Sequence, residues 1–321
     1  MIRQSDLQDL IHLRMPEADA LAMLGQLTPD QVTLPLLQEA LTCVRETALS
    51  VTLPELPVMD CCGTGGSGLS HFNTSTTVAF VLAAAGVPVV KFGNRGLSSA
   101  CGSFDLLEQI GIPHQISLDR IPDILCGSNL VFLFAPACYP ALVPFNQLRR
   151  TLKTRTIFNF LGPLLNPVQP AFRLLGVSHP GMQDLMAQHL QQEATSQAAW
   201  LVHGLNGLDE IALHAPTRVL AVHENAIQET VLPQSHQENN FPQHQHASEE
   251  NLGIFRCIVA GDDTESIYYH MVCRNAAAGL VVSGQADNID DAMLEVQTLL
   301  KSGIVAKTVE HCRRAHEQFA N

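Results

Sequence analysis

From Val58 onward the chain alternates between two hydrophobic patterns. Short apolar runs at Val58–Cys62, Val87–Phe92, Leu130–Phe134, Arg173–Ser178 and Ala198–His203 read as buried strands. Between them, apolar residues recur at helical spacing in Ser75–Ala85, Phe104–Ile110, Ala141–Leu152 and Met182–Ala194. Such alternation predicts a largely parallel sheet with helices on its faces. Thr217–Leu232 reads as a hairpin turning at Glu224-Asn225, and closing helices follow at His270–Ser283, at Ile289–Lys301 and from Ala306. Residues 1–52 differ: Leu7, Leu10 and Ile11, then Ala18–Leu27, then Leu34–Ala48 form short helical patterns without a strand pattern. The expected fold class is α/β. A small helical domain (1–55) precedes a larger domain (56–321) whose mainly parallel central sheet is flanked by helices.

Composition narrows the function classes. The 321 residues are 46% hydrophobic and 15% charged, enough apolar material for a sizeable core. A net charge of −13 repels a phosphate backbone and argues against nucleic-acid partners. Basic ligand-binding groups must therefore be local. Nine scattered cysteines, including Cys61-Cys62 but no CxxC, point to reduced thiols in a cytoplasmic protein. The most apolar stretch, Leu130–Phe145, contains three prolines and is no membrane span, and the N-terminus is not a secretory signal.

Three polar loops stand out. Gly63-Thr64-Gly65-Gly66-Ser67 follows the first strand, where glycines admit backbone angles that aim bare N–H groups at an oxyanion. Asn73, Ser75 and Thr76 open the next helix as an N-terminal cap does, and a helix start favours phosphate. Lys91, Gly93, Asn94 and Arg95 form the second loop, and Ser98–Ser103 the third. The glycine loop is neither GxxxxGKS/T nor GxGxxG, so an ordinary nucleotide loop is not indicated; taken alone it is also compatible with a tight turn that binds nothing. Asp209-Glu210 offers two adjacent hard oxygen ligands of the kind magnesium prefers, or a solvated turn. Arg155 is either a partner for an acceptor carboxylate, with Asn94 as the second, or a surface ion pair. Pro233–Asn251, with His236, His244 and His246, reads as a solvated loop without regular metal-ligand spacing.

Taken in order, these motifs resemble the anthranilate phosphoribosyltransferase family. They are DxxGTGG at Asp60–Gly66, NxSTxxAF at Asn73–Phe80, KxGNRxxSSxxGSxDxLE at Lys91–Glu108, RTxFNxLGPLxNP at Arg155–Pro167, GLDE at Gly207–Glu210 and NAAAGL at Asn275–Leu280. The resemblance implies a nucleoside phosphorylase/phosphoribosyltransferase-like fold whose helical domain takes a further segment within about 140–172. It implies transfer of phosphoribose from phosphoribosyl diphosphate to anthranilate, a step of tryptophan biosynthesis. Gly63–Ser67, Asn73, Ser75, Thr76, Lys91, Gly93, Asn94, Arg95 and Ser103 would hold the donor. Ser75, Asp209 and Glu210 would hold Mg2+, and Asn94 with Arg155 would hold the acceptor. It also implies a homodimer formed through the N-terminal helices, which here are shorter than the family's. Three positions depart from the family pattern. Ser67 stands for an aspartate, and Phe92 and Tyr139 stand for histidines beside the acceptor. A different aromatic acceptor, or a non-catalytic paralogue that binds the donor, therefore remain alternatives. An aromatic amine keeps its lone pair at neutral pH, so no general base is nominated.

Overall fold

The structure, a computed structural model, describes residues 2–69, 72–96, 101–152, 154–236, 246 and 248–320. Residues 98–100 of the third polar loop, and 237–245 and 247 of the histidine-bearing segment, lie outside the described residues.

Seven strands form one sheet: β1 Met59–Gly63, β2 Val89–Gly93, β3 Leu130–Phe134, β4 Phe172–Gly176, β5 Ala198–Gly204, β6 Thr217–His223 and β7 Ala226–Leu232, in the order β3-β2-β1-β4-β5-β6-β7. The first five are parallel, and β6 and β7 complete the edge antiparallel. The β6–β7 hairpin turns at Glu224 and Asn225, both at positive φ (49° and 60°), the geometry of a two-residue turn that matches strand twist.

Alternation along the strands divides the core in two. Val90, Val131, Leu133, Leu175, Leu201 and Leu220 face one apolar cluster, while Val89, Leu130, Phe132, Leu174, Val202 and Val219 face the other. The first cluster takes in the N-terminal helices Gln4–Ile11, Glu17–Gln26 and Leu34–Arg45, together with Cys138–Leu165 and the helix Pro180–Gln191. The second is built on Thr74–Ala84, whose side chains are buried almost all round. Helix Ile267–Val282 approaches it closely because a Cβ on Gly279 would sit 2.7 Å from Leu82.

Among the described residues three α-helices escape the hydrophobic pattern, the first two of them Ile121–Ser128 and the single turn Ala135–Cys138. Both are short, and the third, Ser248–Ala260, begins inside the polar segment that reads as solvated loop. There the structure corrects the expectation, because Leu252, Phe255, Ile258 and Val259 supply a helical stripe into the second cluster. His246 is likewise buried rather than solvated, paired with Glu250 at 2.8 Å and bonded to the Tyr268 hydroxyl. All nine cysteines are free thiols. Among the described residues no helix is long and apolar enough to cross a membrane.

The strand order reverses at β1, which has β2 on one side and β4 on the other. In open parallel sheets the crevice at such a reversal, beyond the carboxyl ends of the strands, is the place for a ligand. The loops after β1, β2, β4 and β5 all emerge there.

Candidate active site

The glycine loop is fastened from two sides. Gly65, Gly66 and Gly68 have φ of 66°, 71° and 74°, the left-handed region that glycine enters at no steric cost. The Gly65 N–H donates to Asp209 Oδ2 at 2.6 Å, while its carbonyl accepts from Arg155 Nη2 and from Ser178 Oγ, each at 2.9 Å. Asp209 reaches the loop because β1 and β4 lack side chains there. A Cβ on Gly63 would lie 2.6 Å from Asp209 Oδ2, and one on Gly176 only 1.7 Å from the Asp209 carbonyl oxygen.

Two cavities share this loop as a common wall. The first, of about 170 Å3, is lined by Gly63, Gly65, Gly66, the helix start Asn73–Thr76, Ser103, Asp209 and Glu210. The second, of about 290 Å3, is lined by Thr64, Lys91–Gly96, Tyr139, Asn146, Arg149, Phe158 and Asn159. Gly63, Gly65, Ser75 and Ser103 border both. The loop, the helix start and the Asp-Glu pair thus surround one space, and Phe92, Asn94 and Tyr139 the adjoining one.

Individual placements differ from the sequence expectation in four ways. Asn73 occupies the N-cap position, but its side chain makes no cap bond; Nδ2 donates to the Cys101 carbonyl at 3.4 Å. Its own N–H is instead held by Asn251 Oδ1 at 3.1 Å. Ser67 borders neither cavity, and its hydroxyl accepts from the Leu69 N–H at 3.4 Å. Arg95 lines the second cavity, yet its guanidinium is paired with Glu108 and lies 3.8 Å from Asp105. Arg155 borders neither cavity and spends its donors on the glycine loop and Ser178.

Charges beneath the site are buried. Lys91, 2% exposed, donates from Nζ to the Cys61 carbonyl at 2.7 Å. Asp60 accepts from Asn166 Nδ2 at 2.9 Å and from the Phe92 N–H at 3.3 Å. Burial pushes the Asp60 carboxyl up, against Lys91, Asn166 and Phe92, which pull it down. Arg173, Glu193 and Arg45 continue the series toward the N-terminal helices, with contacts of 3.1 and 2.9 Å. Burial, and then the neighbouring Asp209, hold the Glu210 carboxyl well above its ordinary range; the Thr74 hydroxyl and Lys91 oppose this.

Hydrophobic and motif reading missed Arg149. It lies near the end of the expected helix Ala141–Leu152, where the sequence assigns it no role. The guanidinium enters the second cavity, 5.9 Å from the Phe145 ring centre and 5.7 Å from that of Phe158, and donates to Asn146 Oδ1 at 2.9 Å. Burial pushes it down to about 10, still charged at neutral pH, and no carboxylate pairs with it among the described residues. The Phe145/Arg149 spacing of one helical turn was the available signal. Asn275, buried at the edge of the first cavity, was also missed; its side chain bonds both backbone groups of Ile211 and so fixes the segment after Glu210.

The glycosyl transferase family a/b domain matches residues 55–306. An anthranilate phosphoribosyltransferase of Pseudoalteromonas translucida is 40% identical over 274 residues, 84% of this chain and 76% of the relative. That of Bordetella pertussis is 32% identical over 321 residues, 95% of this chain and 93% of the relative. The chain belongs to the anthranilate phosphoribosyltransferase family. The crystal structure of the Thermus thermophilus anthranilate phosphoribosyltransferase superposes with a TM-score of 0.86 at 27% identity, covering 98% of this chain and 94% of that one. The Saccharomyces cerevisiae family member in complex with PRPP and Mg shares the fold at 22% identity, with a TM-score of 0.85 and coverage of 99% and 94%.

Proposed function

We propose that this chain transfers phosphoribose from phosphoribosyl diphosphate to anthranilate in the cytoplasm, giving N-(5-phosphoribosyl)anthranilate and diphosphate for tryptophan biosynthesis. One observation carries the reading: a cavity lined by a glycine loop, a helix start and an acidic pair shares its wall with a second cavity, lined by aromatic rings and by a guanidinium that meets no carboxylate among the described residues. The donor's diphosphate suits the first and the acceptor's carboxylate the second.

Magnesium fits the first cavity. Glu210 Oε2 is buried without a hydrogen-bond partner, and Asp209 is its neighbour. Among the described residues no group of three or more His, Cys, Asp or Glu gathers around a metal position. Two carboxylates with substrate oxygens are the usual way to hold this ion. Asp209, Glu210 and the Ser75 hydroxyl would hold it, and it would neutralise the diphosphate as charge develops on the leaving group.

This chain's own groups do the rest. The Gly63–Gly66 loop, the start of helix Thr74–Ala84 and Ser103 bind diphosphate oxygens through N–H and O–H donors. Arg149, with Asn94, orients the acceptor carboxylate, so that the amine nitrogen approaches the sugar carbon across the shared wall. A C–N bond forms as the C–O bond breaks, its electron pair leaves with the diphosphate, and the amine proton passes to solvent. Phe92 and Tyr139 pack edge to face at 5.9 Å and give the acceptor an apolar wall, which supports a larger aromatic acid as a second reading. Assembly as a homodimer belongs to the same proposal.

The test is direct. Phosphoribosyl diphosphate, magnesium and anthranilate together should quench anthranilate fluorescence, and omission of any one should prevent it. Donor binding by calorimetry without anthranilate consumption would transfer the proposal to the larger acceptor.

A further inference from the structure

We propose that Arg155 is a positioning residue for the donor loop and not a ligand of the acceptor. Its fork grips consecutive carbonyls: Nη2 donates to Gly65 O at 2.9 Å and Nη1 to Gly66 O at 3.0 Å. Nη1 also meets Ser178 Oγ at 2.9 Å, and Ser178 in turn donates to Gly65 O. Thr64 closes the arrangement, since its hydroxyl lies 2.9 Å from Ser178 Oγ and accepts from the Ser178 N–H at 3.1 Å. The guanidinium carbon lies over the Phe160 ring, 4.5 Å from its centre, a contact that helps to hold the group in place. A Cβ on Gly66 would come within 2.9 Å of Arg155 Cζ, so this glycine serves the grip as well as the backbone angle.

The consequence is electrostatic. Carbonyl oxygens facing a diphosphate would repel it, and two successive left-handed glycines leave their orientation soft. Arg155 and Ser178 occupy the Gly65 and Gly66 carbonyls with donors, and the Gly65 N–H points to the carboxylate of Asp209. The loop's carbonyls are thereby neutralised before an anion arrives, and their repulsion of it is reduced. This deepens the phosphoribosyl-donor reading and rests on it for the identity of the anion.

The experiment compares wild type with Arg155→Ala and Arg155→Lys, the lysine keeping charge without the fork. Hydrogen exchange on ligand-free protein should be faster across residues 63–69 in both, about tenfold or more in the alanine variant. Affinity for magnesium with phosphoribosyl diphosphate should fall about ten- to a hundredfold in Arg155→Ala and less in Arg155→Lys, whereas the acceptor KM at saturating donor stays within about twofold. Unchanged exchange in the loop, or a rise in acceptor KM with donor affinity intact, overturns the inference. Failure of wild type to bind the donor would instead refute the functional reading, and the exchange comparison would still decide the role of Arg155.

Discussion

Asp209 Oδ2 accepts the Gly65 N–H at 2.6 Å, so the acid assigned to the metal already holds the phosphate loop. A carboxylate stands there in the position of an anionic ligand, and the loop is formed before the donor arrives. Asparagine can still accept that hydrogen bond but is a poor ligand for a hard cation. Asp209→Asn should keep the fold and lose magnesium-dependent donor affinity by about tenfold or more. Asp209→Ala with Glu210→Ala should abolish it. Calorimetry with and without magnesium reads the difference; equal affinities in all three proteins would remove these residues from the metal site.

Arg149 gives the second prediction. It is a cation of the second cavity with no carboxylate partner among the described residues, so the carboxylate of the proposed acceptor would complete it. Arg149→Ala should raise the anthranilate KM about ten- to a hundredfold, the loss of a charge-assisted pair worth about 1.5–3 kcal/mol. Donor affinity should not change. A variant that loses donor and acceptor together would point to collapse of the Phe145–Phe158 wall.

The third concerns Phe92, whose ring is buried against Tyr139, while the Tyr139 hydroxyl is committed to the Leu165 carbonyl at 2.7 Å. Neither side chain offers a free donor to an acceptor carboxylate. Phe92→His, alone or with Tyr139→His, should increase kcat/KM for anthranilate and leave the donor Kd level. A decrease on restoring histidine would mean that the two rings are an aromatic floor shaped for a different acid.

A fourth prediction is about pH and stability. His316 is fully buried on helix Ile304–Gln318; Nδ1 donates to the Cys312 carbonyl at 2.7 Å, and Nε2 accepts from the Phe132 N–H at 3.4 Å. Burial pushes it down to about 4, so the unfolded chain binds the proton first as pH falls. Its contribution is intact above about pH 6.5 and is lost as pH falls toward 4, about 3 kcal/mol in all. His316→Gln should flatten the dependence of the urea midpoint on pH in that window. His189, also pushed by burial to about 4, keeps its own share of the slope. A slope identical to wild type would show that His316 takes up its proton at the same pH in the folded and unfolded chains.

Much of this was legible because strands and glycine loops leave local marks. β3 coincides with its apolar run, and the Glu224-Asn225 turn follows from residues that tolerate positive φ. The Asp-Glu pair and the loop meet as expected. Arginine roles were not legible. Arg149 and Arg155 lie six residues apart in one polar stretch, and only the path of the chain sends the first guanidinium into the second cavity and the other onto the glycine loop. Helix Ser248–Ala260 stayed hidden since its stripe starts within polar residues, and the Asn251 bond to the Asn73 N–H spans 178 positions. No window of sequence contains such a contact.

The place of β1 between β2 and β4 bears on how the protein is made. A chain leaving the ribosome completes β1, β2 and β3 first, and one edge of β1 then has no neighbour until residues 135–171 have been synthesised and β4 arrives. In that interval the future donor loop hangs from an open strand edge, the kind that recruits other chains. The helical segment that precedes β4 is therefore also the delay before the sheet can close. A nascent chain halted before Phe172 should need a chaperone to stay soluble, and one extended past Gly176 should not.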